Sequence, residues 1–423
     1  MIGAAAAYMA GLFFASFFTD PALVVITAAV AASALLIGRK YDFSVKDDIM
    51  LAVFFSAAVV VFNAYTSVKY VPAINLEGTK GSFRGVITNM QDYSGGNSLY
   101  IIEGKANDSV DIRATFYSET LEAGYGDEIV IGSCDFSKQK SDYLFDTKKY
   151  YKSNGIFLTV NRADNIDIVH SEKKTFKRII GNYRERIITD FHIALGKDSG
   201  DLLSGMVFGE KRGMDQNVKT SVYRCGIGHI LAVSGLHVSV FILILMTVLK
   251  CIGINKYISF VLMEALLIFI TAMANYPISA IRAGIMMNFF YAAELFRRQN
   301  DTFNSLAGAV LIICITEPYV IYDTGFILSV AGTFGIGVFA PYMTKNMPTV
   351  TTPQKIICKI AVMLCTMLCV FPFSLLLSFP KVFLYLHLSN LQSHIHRLSK
   401  NRSRYNNLKY DASLILLKIL FSI

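Results

Sequence analysis

Long apolar runs alternate with short basic connections along this chain, and one block between residues 69 and 170 breaks the pattern. The runs cover about 3–18, 21–38, 49–68, 228–249, 258–274, 277–295, 303–322, 325–342 and 357–379. Runs of about eighteen residues or more with little charge predict membrane-spanning helices. Connections rich in Lys and Arg stay in the cytoplasm. Those with Arg39, Lys40 and Lys46, with Lys250 and Lys256, with Arg297 and Arg298, and with Lys345, Lys355 and Lys359 all fall on one side if every run crosses. That agreement predicts a cytoplasmic amino terminus and places residues 69–229 outside.

The exceptional block alternates apolar and polar positions with the period of a strand. Phe83 to Thr88, Ser98 to Ile102, Val110 to Phe116, Glu128 to Ile131 and Ile156 to Val160 read as five strands, separated by turn clusters such as Ser94-Gly95-Gly96-Asn97. Five short strands suit a small barrel of the OB type. The fold class is therefore a polytopic α-helical membrane protein with an inserted extracellular all-β OB-like domain. Its parts are helices in 1–68, the β domain in 69–170, an amphipathic and re-entrant segment in 171–229, a channel-type helical domain in 230–380, and a basic tail in 381–423.

One run is too polar to be a passive anchor. The stretch from Gly228 to Val240 reads Gly-His-Ile-Leu-Ala-Val-Ser-Gly-Leu-His-Val-Ser-Val. Each polar group in hydrocarbon costs free energy unless protein or water satisfies it. On a helix Ser234 and His237 share a face, and Gly235 admits a close neighbour; together they predict the wall of a polar internal cavity. Arg282, inside the run that begins at Pro277, either snorkels to the interface or faces the same core. Its spacing leaves Glu264 or Asp323 open as a partner, and Asp323 also reads as a helix cap. Upstream, Leu202 to Gly209 is too short to span and is followed by charges. Gly205, Gly209, Lys211 and Arg212 are read as a re-entrant element at a pore rim.

Composition changes little. The chain has 423 residues, 53% of them hydrophobic and only 17% charged, which fits the membrane class. The net charge of +9 invites a nucleic-acid reading, but most of the excess lies in the connections and the tail. In the β block acidic residues slightly outnumber basic ones, and Lys138, Lys140, Lys148, Lys149 and Lys152 read as a solvated face, with a single-strand-binding groove of the OB type as the alternative. Cysteine spacing indicates neither disulfides nor zinc, and no cofactor is implied.

The run from His229 to Val238 resembles the signature of the ComEC competence family, bacterial membrane channels that pass single-stranded DNA inward during transformation. Leu203-Ser204-Gly205 with Gly209 to Gly213 resembles the element before it. Ser279 to Met286 resembles the family's Arg-Ala-x-x-Met element, and Glu317-Pro318 with Tyr322 to Ser329 its Asp-Pro and Gly-Phe-x-Leu-Ser element. Gly126-Asp127 and the region from Phe145 to Ile156 look like the family's outer β region. The resemblance implies a DNA-uptake channel, with single-stranded DNA and membrane lipid as partners, a cytoplasmic ATP-driven translocase, an extracellular DNA receptor and homo-oligomers. It assigns no catalytic residue and no metal: Ser234, Gly235, His237, Arg282 and Asp323 would line the core. The family's metallo-β-lactamase-like domain has no His-x-His-x-Asp-His counterpart here, and the family pattern fades after about Val382, so a truncated or frame-shifted chain is expected.

Two other functions fit parts of the pattern. An intramembrane serine hydrolase would use Ser234 with a buried histidine, yet a pair three residues apart on one helix poorly matches groups brought from separate helices. A small-solute transporter would show a repeat between its halves, and none is visible.

Overall fold

The computed structural model describes residues 1–17, 45–93, 97–119, 121, 123–139, 147–170, 176–210, 213–225, 228–231, 233–299 and 301–345. Two of the nine apolar runs, 21–38 and 357–379, lie outside them, as do Lys211, Arg212 and the basic tail.

Among the described residues the apolar runs are helical. Helix α1 (Ile2–Phe17) packs against α2 (Val45–Tyr65). Gly11 sits so close to the Phe55 backbone that a Cβ there would meet its carbonyl oxygen at 2.6 Å, and Tyr8, Leu12, Ala58 and Phe62 are buried nearby. From α2 the chain continues through a π turn (Thr66–Tyr70) into α3 (Val71–Ile74), without breaking at residue 68. The helical rod therefore reaches past the expected start of the β domain, whose first strand opens only at Lys80.

The β block closes into a five-stranded barrel: β1 (Lys80–Tyr93), β2 (Asn97–Ala106), β3 (Val110–Glu119), β4 (Glu128–Lys138) and β5 (Leu158–Val169), in the order β1-β2-β3-β5-β4. The β3–β5 pair is parallel and the others are antiparallel. Alternation fills the interior with Phe83, Ile87, Ile102, Ile112, Phe116, Ile129, Ile131, Phe136, Leu158 and Val160, all buried. Strand β1 pairs on both edges, and the register slips at Ile87/Asn89 and at Gly81/Phe83 let it coil around the barrel. Gly85 faces Gly104 across β1 and β2; a Cβ on Gly104 would overlap the Arg84 carbonyl, so the two strands meet where neither carries a side chain. At the parallel seam the Thr115 and Thr159 hydroxyls lie 3.0 Å apart, and buried Gln139 donates to Thr115 Oγ1 (2.7 Å) and the Leu158 carbonyl (3.0 Å). A buried polar seam is tolerated because its members are satisfied.

Between β4 and β5 lies α4 (Thr147–Ser153), an element the strand periodicity did not predict. After the barrel come α5 (Phe176–Leu195) and α6 (Lys197–Phe208), folded back on each other at Gly196 (φ 78°). Helix α5 is amphipathic as expected. Its apolar side, including Ile180 and Ile188, packs on Phe208, Ala272 and Met273. Then follow α7 (Gln216–Arg224), α8 (Gly235–Ile252), α9 (Lys256–Met273), α10 (Ile278–Leu295), α11 (Thr302–Thr316), a 3-10 turn (Pro318–Tyr322) and α12 (Thr324–Lys345). Among the described residues Ile49–Ile74, Gly235–Ile252 and Lys256–Met273 have the length and hydropathy to cross a membrane; Ile2–Phe17, Thr302–Thr316 and Thr324–Val338 are shorter apolar helices. Their outward faces carry large apolar side chains such as Leu243, Ile244, Val261 and Phe269, an unfavourable arrangement in water and a favourable one in lipid.

Candidate functional site: a glycine-cushioned polar joint under the barrel

The polar stretch does not run as one helix from Gly228. It forms a short 3-10 turn (Gly228–Leu231), passes through extended backbone at Ser234, and becomes helical at Gly235. Ser234 is thus the N-cap of α8 and His237 its third residue, a correction to the reading that put both on one helix face. The cap geometry explains the residue types. The Ser234 N–H donates to His237 Nδ1 at 3.1 Å, and Ser234 Oγ lies 3.1 Å from the same nitrogen. With Nδ1 accepting, the imidazole proton sits on Nε2.

Two other sequence elements come to this turn. On α10 the Ser279 hydroxyl donates to the Val233 carbonyl (2.9 Å). A Cβ on Gly235 would lie 3.1 Å from Ala283 Cβ and 3.8 Å from Arg282 Nη2, so glycine sets how closely the starts of α8 and α10 approach. From the other side comes α6. Gly209 ends it in the left-handed conformation (φ 72°), facing Val233, and Gly205 packs on Leu231 and Met214. The segment from Leu202 to Gly209, read as a re-entrant element, is the end of a capped helix against the 3-10 turn. Gly205, Gly209, Ser234, Gly235, His237 and Arg282 meet in one joint, where Val233, Val238, Ala280 and Ala283 are buried.

Arg282 is 7% exposed, and its Nε and Nη1 are buried without a hydrogen-bond partner. Neither carboxylate left open by spacing pairs with it among the described residues. Asp323 instead caps α12, accepting the Gly325 N–H at 2.9 Å. Burial pushes its carboxyl up, and the amides of Gly325 and Phe326 partly offset that.

The barrel is fixed over this end of the helices by two polar contacts. In the turn before β4, Asp127 is buried; it accepts the Gly124 N–H (2.9 Å) and lies 2.8 Å from His170 Nδ1 and 3.2 Å from Arg178 Nη1. Burial opposes ionisation, but these three neighbours outweigh it and hold the carboxyl below its usual range. Beside it, buried Arg184 of α5 stacks over Tyr125 (4.4 Å) and donates to the Met273 carbonyl (3.4 Å) at the end of α9. The second contact is Lys152 of α4. Its ammonium lies 4.8 Å from the Tyr70 ring centre, 4.8 Å from Tyr319 and 4.5 Å from Tyr322. Phe157 of the barrel packs edge-on against Tyr70 and Tyr319, and the Tyr319 hydroxyl pairs with Thr66 at 2.8 Å. Sequence reading grouped Lys152 with solvated lysines. The spacing Lys148-Lys149-x-x-Lys152 gave no sign of the tyrosines, which arrive from α2's continuation and from the 3-10 turn.

An apolar helical body, a closed β barrel seated on one end of it and a polar joint beneath define a helical membrane protein with a β domain. Residues 206–393 match the family model described as Competence protein. ComE operon protein 3 of Bacillus subtilis (strain 168) is 25% identical over 166 residues, which are 39% of this chain and 21% of that protein. The chain thus spans far less than two thirds of that relative. No solved structure matches. Over the matched residues the chain is similar to the competence family, and the polar joint falls mostly within that stretch.

Proposed function

We propose that this chain forms a membrane channel for uptake of single-stranded DNA across the bacterial cytoplasmic membrane during natural transformation. The observation that carries the proposal is convergence: the family-like elements at Gly205–Gly209, Val233–His237 and Ser279–Ala283 pack into one polar joint, beneath a barrel. The barrel supports an OB-like reading through its strand order and its parallel closing pair. Energy would come from a cytoplasmic ATP-driven translocase and DNA from an extracellular receptor, with several copies of the chain assembling in the membrane. Expression of the chain in a competent host lacking its own channel should restore transformants; a chain present in the membrane that restores none would refute the proposal.

The hydrolase reading gains nothing from the geometry. His237 Nδ1, the nitrogen beside the Ser234 hydroxyl, already accepts the Ser234 amide hydrogen. A base whose lone pair caps a helix is poorly placed to take a proton from a nucleophile.

The proposed orientation puts the amino terminus and Arg298 in the cytoplasm and the barrel outside. Single cysteines at Lys105, on the barrel, and at Arg298 test it, in a background without native cysteines. A membrane-impermeant maleimide added to intact cells should label position 105 and spare 298; the reverse pattern would overturn the orientation.

The barrel should also fold alone, since its interior is filled by its own strands. A soluble piece covering 79–170 should give a far-UV spectrum dominated by strand and bind an oligodeoxynucleotide weakly at physiological salt, given the acidic balance of the block. A mainly helical spectrum would contradict the fold, and tight binding would contradict the charge argument.

A further inference from the structure

We infer that α5 is an interfacial helix: the stripe formed by Phe176, Ile179 and Tyr183 lies in the headgroup–acyl boundary of the leaflet on the barrel's side, and the partner it takes is phospholipid. The inference needs only a membrane-spanning α9 and does not rest on the channel reading.

Two sides of α5 are covered by the chain itself. Ile180 and Ile188 are buried with Ala272 and Met273 at the end of α9. Arg178 reaches Asp127 in the turn before β4 (3.2 Å), and a Cβ on Gly181 would lie 3.0 Å from the Tyr125 Cβ, so this second side faces the barrel. A third side is open. Phe176 is 51% exposed, Ile179 39% and Tyr183 54%. Spaced at i, i+3 and i+7, they form one line over the first two turns. At 3.6 residues per turn, Phe176 lies about 160° around the helix from Arg178, and Ile179 and Tyr183 lie about 160° from Gly181. The stripe therefore looks away from the barrel.

Depth is set by α9. Lys256–Met273 has the length and hydropathy to cross a bilayer, and Ile268 and Phe269 near its end are exposed, as lipid-facing side chains should be. Arg184 of α5 donates to the Met273 carbonyl (3.4 Å) while stacking over Tyr125 of the barrel. One side chain thus ties the last residue of the spanning helix to the barrel, which puts α5 at the plane where α9 leaves the hydrocarbon. The side of a helix turned away from an extramembrane barrel at that plane meets the bilayer. Phenylalanine and isoleucine suit the acyl boundary, and tyrosine sets its ring there with the hydroxyl among the headgroups. Exposed Arg186 and Asp190 continue the line and end the apolar stripe, so the inserted part is the first two turns. Through Arg178 and Arg184 the inserted helix holds the barrel at a fixed height over the membrane.

The test uses the full chain, without native cysteines, in phosphatidylcholine nanodiscs. Single cysteines replace Ile179, Phe269 as a lipid-facing reference, and Lys105 on the barrel as an aqueous one; each carries the same fluorophore. Lipid with a nitroxide near the headgroup end of its chain should quench the probe at 179 about fivefold or more over that at 105, and comparably to that at 269. Aqueous iodide should show the reverse order. A probe at 179 that iodide quenches as it does 105, and nitroxide lipid does not, would overturn the inference. Shielding from both quenchers would also overturn it, in favour of a second copy of the chain covering the stripe. The unsubstituted chain gives a second measurement. A phosphatidylcholine carrying a photoactivatable diazirine near the headgroup should leave adducts on residues 176–183; adducts around Phe269 with none on 176–183 would again refute the inserted helix.

Discussion

On the channel function proposed above, Gly235→Leu should abolish DNA uptake, while Ser234→Ala should leave it within about tenfold of the wild type. The contrast follows from where the two residues sit. A single methyl at position 235 already lies 3.1 Å from Ala283 Cβ, so a leucine has no room unless the starts of α8 and α10 separate. Forcing extra carbons into a packed contact typically costs about 1–3 kcal/mol. Here the strain falls on the joint that holds α6, α8 and α10 together. Ser234→Ala removes one cap hydroxyl, a loss of about 1 kcal/mol for a helix start. His237 still accepts the backbone amide of residue 234, so part of the cap survives. A hydrolase would reverse the order, because its nucleophile would be gone. The measurement is transformation frequency with membrane abundance equalised by immunoblot; a null Ser234→Ala beside a normal Gly235→Leu would remove this account of the joint.

How much of this was legible beforehand depends on the range of the forces involved. The barrel strands were readable because alternation is local: Phe83, Ile87, Ile129 and Ile131 declare an inside face within a few residues each. The joint was half readable. Its residue types announced a site, but Ser234 was placed on the helix because the apolar run from Gly228 looks continuous. What ends that continuity is a serine with a histidine three positions on, a capping pair hidden inside an apolar stretch. Arg282 is buried, and neither Glu264 nor Asp323, the carboxylates its spacing offered, pairs with it among the described residues. Asp323, one option for it, serves the backbone of α12. Least legible was the lysine cage. Lys152, Tyr70, Tyr319 and Tyr322 come from three distant parts of the chain, and only the seating of the barrel brings them together.

That cage yields the other large effect. Lys152→Glu detaches α4 from the helical body, while Lys152→Met leaves it seated. The ring faces of Tyr70, Tyr319 and Tyr322 are electron-rich and attract a cation by up to about 2 kcal/mol when it is desolvated. A carboxylate in the same place is repelled by all three and gains nothing for its lost water. Methionine gives up the charge but keeps a flexible apolar chain against the rings. The charge itself is held under tension: burial first, then the nearby Lys148 and Lys149, lowers the Lys152 ammonium to about 8 from an ordinary 10.5. A folded value below the unfolded one means that the seated form gives up its proton first. The cost of burying the charge is therefore complete below about pH 8 and is relieved as pH rises toward 10.5. Hydrogen exchange of residues 147–158 reads the seating directly. Protection in the wild type should increase between pH 8 and 10 after correction for intrinsic exchange, and this increment should vanish in Lys152→Met. In Lys152→Glu the segment should exchange at least tenfold faster at pH 7 while the strands of the barrel keep their protection. Unchanged exchange in Lys152→Glu would show that the barrel is held by Asp127, Arg178 and Arg184 alone.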